Sequence, residues 1–189
     1  MLSVVRPGGR ASERFEETLA YALEKHCFSV TTCLPAPIEN RRLLFAVPLN
    51  ESGINSAYYQ LLAFLRTHPG SLKGCVGGVL VDGPGDLYTK SLGRELALAA
   101  SLAGCTFPGR PLVEATGDLR NFTVQAKNAG CSLEKAYRLA AADLVDRVCT
   151  FAPPRHKRPR LLVLHASSRA TSNTLALWGQ VRARLGDAC

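Results

Sequence analysis

The stretch "LLVLHASSRATSNTLALW" (161–178) breaks an apolar run with small and polar residues, then resumes with helical spacing. Ser167, Ser168, Thr171, Ser172 and Thr174 offer hydroxyl donors, Asn173 an amide and Arg169 a fixed positive charge. They stand at the start of an expected helix, whose unpaired N–H groups favour an anion. That chemistry suits a phosphate. The other reading is a polar turn with a Ser/Thr helix cap, which needs one or two such residues rather than five. A second position is Asp82, at the carboxyl end of an expected strand, where open α/β sheets bind ligands; its other reading is the start of the "DGPGD" turn. Ser12, His26 and Asp82 match no known nucleophilic arrangement in order or context.

The elements that must position these residues follow from patterning. Short β-branched or apolar runs alternate with longer amphipathic ones, the signature of a parallel α/β sheet. Strands are expected at 2–5, 27–33, 42–49, 75–83 and 111–115, and helices at 12–26, 54–68, 86–104 and 132–148. Phe15, Leu19, Ala22 and Leu23 share one face of the first helix. Asp86 and Ser132 are the expected caps of the third and fourth, and Gly104 is the expected stop of the third. "FAPPRHKRPR" (151–160) reads as a basic linker, since prolines extend the backbone and charges keep it in water. A further strand at 161–165 and helix at 172–185 follow it.

Two strand–turn–helix openings align: "LSVVRPGGRASERFEETLA" from Leu2 and "LLVLHASSRATSNTLALWG" from Leu161, with Arg10-Ala11 falling on Arg169-Ala170. The match suggests a tandem duplication. In the first copy Gly8, Gly9, Ser12, Glu13, Arg14 and Phe15 stand where the second carries Ser167, Ser168, Thr171, Ser172, Asn173 and Thr174. Most hydroxyls are gone there, and Glu13 would repel a phosphate.

Composition bounds the function. No run approaches the roughly 20 apolar residues of a membrane span, and "MLSVVRPGGR" lacks the layout of a secretory signal. A soluble, cytoplasmic protein in a reducing compartment is expected. The seven cysteines are odd in number and scattered without metal spacing, so they read as free thiols and no metal is expected. Of the formal net charge of +8, half lies in Arg155, Lys157, Arg158 and Arg160. A basic linker with no interleaved aromatics explains that excess without nucleic acid.

"LLVLHASSRATSNTLAL" resembles the first strand and phosphate loop of the flavodoxin-like fold, in particular the NADPH-dependent FMN reductases. "LLFAVPLNESGINSAYYQLLAFL", "SLKGCVGGVLVDGPGD" and "GCTFPGRPLVEA" are similar to that family's third strand and flavin loop, its fourth strand and the approach to its last. The resemblance implies a three-layer, doubly wound parallel sheet of five strands in order 2-1-3-4-5 over 1–150. After the linker, 161–189 would open a second, incomplete flavodoxin-like domain. It further implies FMN as cofactor, NAD(P)H as electron donor and flavin contacts at Pro48, Asn50, Asp82 and Ser167–Thr174. Departures concern the first domain. Val47 stands where Thr or Ser is common, and Leu49-Asn50 replaces a hydrophobic-aromatic pair, so the aromatic that stacks on flavin is missing. Only "PAPIENRR" separates the second and third strands, where the family carries a helix; eight extended residues reach about 26–29 Å, enough to cross one strand.

Two functions are consistent with these residues. The chain is an FMN-dependent NAD(P)H oxidoreductase or a fragment of one, with the terminal unit docking on the first domain, as in a domain-swapped homodimer. Alternatively, 1–150 is a non-catalytic scaffold or dimerisation domain that has lost flavin binding.

Overall fold

The computed structural model describes residues 1–34, 36–153, 164, 166, 169 and 171–186. The chain divides into two units, Met1–Phe151 and Ala152–Cys189.

The first unit is a parallel sheet with helices on both faces. Its elements are β1 (Leu2–Val5), α1 (Glu13–Leu23), β2 (Phe28–Thr31), β3 (Arg42–Pro48), α2 (Ser56–Thr67), β4 (Val76–Asp82), α3 (Thr89–Leu102) and β5 (Leu112–Ala115), then a 3-10 turn (Arg120–Phe122), α4 (Thr123–Ala129) and α5 (Leu133–Thr150). The strand order is β2-β1-β3-β4-β5, all pairs parallel. The expected flavodoxin-like architecture is therefore present.

Burial follows the period of two along each strand. Leu2, Val4, Leu44, Ala46 and Leu80 join a core with α1, α4 and α5. Val5, Leu43, Phe45, Val47, Val79 and Val81 join the opposite core with α2 and α3. Both central strands, β3 and β4, are therefore apolar almost throughout, as strands covered on both faces must be. Gly78 lets α5 lie close on β4: a Cβ there would stand 2.9 Å from side-chain atoms of both Leu144 and Val148.

Ser12 caps α1 by accepting from Phe15 N–H, and Ser132 caps α5 by accepting from Lys135 N–H. Asp86, the expected cap of α3, does not cap it. That helix starts at Thr89, whose buried hydroxyl donates to Glu114 (3.3 Å), and its N-cap is Tyr88 in the left-handed region with no side-chain cap bond. Gly104 follows its end at φ +102°. The 3-10 turn and α4 were not expected, since α4 is polar and buries only Ala126.

No helix forms among the described residues between β2 and β3. That link instead bonds to the turn before β4: Ile38 N–H donates to Ser71 O (2.7 Å) and Asn40 N–H to Lys73 O (3.0 Å). The six described cysteines are free, with Cys75 and Cys105 buried.

In the second unit the described residues include one helix, α6 (Asn173–Leu185), with no buried residue. Of the expected strand at 161–165 only Leu164 is described, and most of the basic linker likewise lies outside the described residues.

Candidate functional site

In a parallel sheet every strand delivers its following loop to one end, and the order β2-β1-β3 splits the chain's path between β1 and β3. At that end lies a cleft of about 430 Å³, lined among others by Arg10, Ser12, Glu13, Asn50, Glu51 and Asp82. Asp82 terminates β4 and is only 3% exposed. Its carboxylate accepts from Arg14 Nε (3.0 Å), Arg14 Nη2 (2.8 Å) and the Ser12 hydroxyl (3.3 Å). The Arg14 guanidinium also donates to the carbonyls of Gly117 (2.8 Å) and Gly83 (3.3 Å). A fork of donors meeting a buried carboxylate in two places is the strong form of such a pair. Near it the fully buried Tyr137 hydroxyl stops short of hydrogen-bonding geometry. Burial, and then the negative charge of Asp82, push its pKa well above the usual value.

This corner does not fit a flavin phosphate. The Ser12 hydroxyl is spent on Asp82 and on its own helix, and the charge of Arg14 is met by Asp82 and two carbonyls. Glu13 and Asp82 both line the cleft, and Glu16, also in the first turn of α1, pairs with Arg6. An incoming dianion would meet carboxylates at the helix start that ordinarily attracts it.

The neighbouring loops differ in chemistry. A groove of about 380 Å³ runs past Ile54, Tyr58, Tyr59, Tyr88, Leu92 and Glu95. The Tyr58 hydroxyl shares its proton between the Leu92 carbonyl (3.1 Å) and the Glu95 carboxylate (3.2 Å). Burial first, then Glu95, raise its pKa. Tyr88 is 64% exposed at φ 73°, with Gly53 beside its ring. A non-glycine residue at that φ is strained, and such strain collects where a loop presents a side chain.

Among the residues expected at the site, Asp82 and Asn50 both line the cleft. Asn50 also shapes its own loop, its side-chain oxygen accepting from Ser52 and Ile54 N–H (3.0 Å each). Pro48 ends β3, and its carbonyl accepts from the Asn55 amide (2.8 Å). His26 pairs with Asp146 (2.9 Å), away from Ser12 and Asp82. Ser167 and Ser168 lie outside the described residues. Thr171, Ser172, Asn173 and Thr174 lie at the start of α6, where the Ser172 side chain makes no cap bond, and Arg169 precedes them. Sequence reasoning missed Arg14, which lies 68 positions from its partner, and Tyr88, an aromatic inside a Gly/Pro/Asp-rich loop that patterning could have flagged. Among the described residues no His, Cys, Asp or Glu cluster could hold a metal, and no helix is long and apolar enough to cross a membrane.

Sheet order, helical layers and a strand-end cleft at the switch point define a flavodoxin-like α/β domain. A flavodoxin from Streptococcus pneumoniae TIGR4 is similar in structure, with a TM-score of 0.50 at 10% identity over 77% of this chain and 98% of that one. At that identity the likeness concerns the fold. No family model matches the chain, and no curated protein matches it in sequence.

Proposed function

We propose that the Met1–Phe151 domain is a non-catalytic flavodoxin-like scaffold. FMN-dependent, NAD(P)H-linked chemistry, which the family resemblance implies, is assigned to the hydroxyl-rich turn at 167–174. The observation that carries this reading is the Arg14–Asp82 pair: it occupies the first domain's phosphate corner with a buried carboxylate and satisfies the Arg14 charge, leaving the exposed Arg10 as the cation whose removal tests the reading. FMN, when bound, supplies hydride transfer, and the protein's part is to hold and orient it. On this reading the hydroxyls of Thr171, Ser172 and Thr174, with Arg169, do the holding.

The test is a titration of the full chain with FMN, followed by flavin fluorescence and visible absorption. Binding that is lost in Thr171→Ala and Ser172→Ala but kept in Arg10→Ala supports both parts. If folded protein binds no FMN, the redox assignment fails while the scaffold assignment stands. Binding that depends on Arg10 overturns the scaffold. A second reading, flavin ring binding by the first domain, is favoured by the exposed Tyr88 beside the Ile54–Tyr59 groove. Loss of fluorescence quenching in Tyr88→Ala would select it.

A further inference from the structure

The sheet ends in two edges that are finished differently. At β5, Gly83 N–H donates to Ala115 O and Val79 N–H to Pro111 O, so those residues address β4 and Leu112 and Glu114 face outward. There the Glu114 carbonyl is taken by the Asn121 amide at 2.7 Å. At β2, Leu2 N–H donates to Cys27 O (3.0 Å) and Arg6 N–H to Thr31 O (2.8 Å). By the same alternation Cys27, Ser29 and Thr31 address β1, while Phe28 and Val30 turn their N–H and C=O groups to the open edge. Among the described residues no side chain bonds them. Phe28 is 45% exposed and Val30 55%. The stretch "CFSVTTC" (27–33) has neither a charge nor a proline, the usual guards of an edge strand. Among the described residues the link after β2 adds no helix to cover it.

We propose that this edge is a homodimer interface, in which β2 pairs antiparallel with β2 of a second copy about a two-fold axis through Ser29. Three features select a second copy. First, a two-fold axis through Ser29 sets Phe28 opposite the partner's Val30, and both carry outward N–H and C=O groups, so each such pair exchanges two hydrogen bonds. Second, opposed residues share a face, so the two exposed apolar side chains meet each other rather than water. A shift by one residue would set Ser29 against the partner's Val30 and break both relations. Third, 27–33 is uncharged, so the antiparallel approach brings Lys25 beside no like charge within the partner's strand. The paired edges would join two five-stranded sheets into one. This interface is independent of flavin binding, so its failure and that of the proposed function are distinguishable.

Sedimentation velocity of the full chain over a concentration series tests it, with hydrogen exchange at the amides of 28 and 30. The expected result is a concentration-dependent dimer in which both amides gain protection. Val30→Lys, at an exposed position, should weaken association about tenfold or more, because two symmetric pairs are lost together. With Cys27 and Cys33 replaced by Ser, Ser29→Cys should give a disulfide-linked dimer on treatment with diamide, since non-hydrogen-bonded antiparallel partners lie within disulfide reach. A monomer at every concentration overturns the proposal. So does a dimer that ignores Val30→Lys and gives no Ser29→Cys cross-link. Protection of these amides in a persistent monomer would assign the edge to another occupant, such as residues 161–165, and likewise overturn it.

Discussion

The two sides of the strand-end cleft sit on the same sheet but are built to opposite rules. On the β1 side, Arg14, Ser12, Asp82 and two backbone carbonyls satisfy one another, and the side chain that ends β4 is buried. On the β3 and β4 loops, Ile54, Leu87 and Tyr88 remain exposed, and Tyr88 keeps a strained backbone. The fold places ligand-facing positions at both. The difference lies in what is spent: the polar corner has turned Arg14 and Asp82 on each other, and the aromatic corner keeps the Tyr88 ring exposed.

Substitutions can break this contrast, and the largest effect is expected at Asp82. Asp82→Ala leaves the Arg14 guanidinium, itself only partly exposed, facing carbonyls without a counter-charge. Breaking a buried pair from one side costs about 3 kcal/mol, read as a drop in the denaturation midpoint. The Arg14→Gln/Asp82→Asn double variant should recover part of that loss, because neither charge is then orphaned. Gly117→Ala comes next. Its Cβ would stand 2.3 Å from the Pro84 carbonyl oxygen, so the loop after β4 must move, at about 1–3 kcal/mol by the same denaturation assay.

Alkaline titration separates the two corners more finely. Tyr137 and Tyr58 are both pushed above 10.0, so each folded state holds its proton after the unfolded chain has begun to release it. Stability from these groups is complete below pH 10 and falls as pH rises beyond it. Cys105, raised by burial from 9.0 to about 12, adds a loss that begins near pH 9 and continues to about 12. Asp82→Asn removes the negative charge near Tyr137 and should lower its titration midpoint, while Tyr58 stays in place; absorbance near the phenolate band distinguishes them. The smallest effect is expected at the aromatic corner, where Tyr88→Ala should change stability by no more than about 0.5 kcal/mol. A loss there matching that of Asp82→Ala would show that Tyr88 supports the fold, and the contrast would fail.

The sheet was legible in the sequence because its signal is local. "RLLFAVPL" and "CVGGVLVDG" are apolar enough to demand cover on both faces, and Ser12 and Ser132 announce their helices. The site was legible only in part. Asp82 stands out as a polar residue at a strand's end, but its partner is set by the packing of α1 over the sheet, which no spacing reveals. Likewise Asp86 has the chemistry of a cap, yet the helix begins where Thr89 can bury against β5 and bond to Glu114. α4 escaped notice because one buried alanine leaves no periodicity to read.

The bare link between β2 and β3 has a consequence for how the domain opens. Two backbone bonds, from Ile38 and Asn40, tie it to the turn before β4, and β2 adds a single ladder with β1. Among the described residues of this link no helix must be undone to release it, whereas each central strand is clamped between two helical layers. Residues 28–34 and 36–40 thus form a unit of low local stability. In the monomer, where β2 lacks the proposed partner strand, exchange and proteolytic nicking should begin there, well before global unfolding, and the domain would respond to stress by loosening one margin while the cores around its inner strands stay closed.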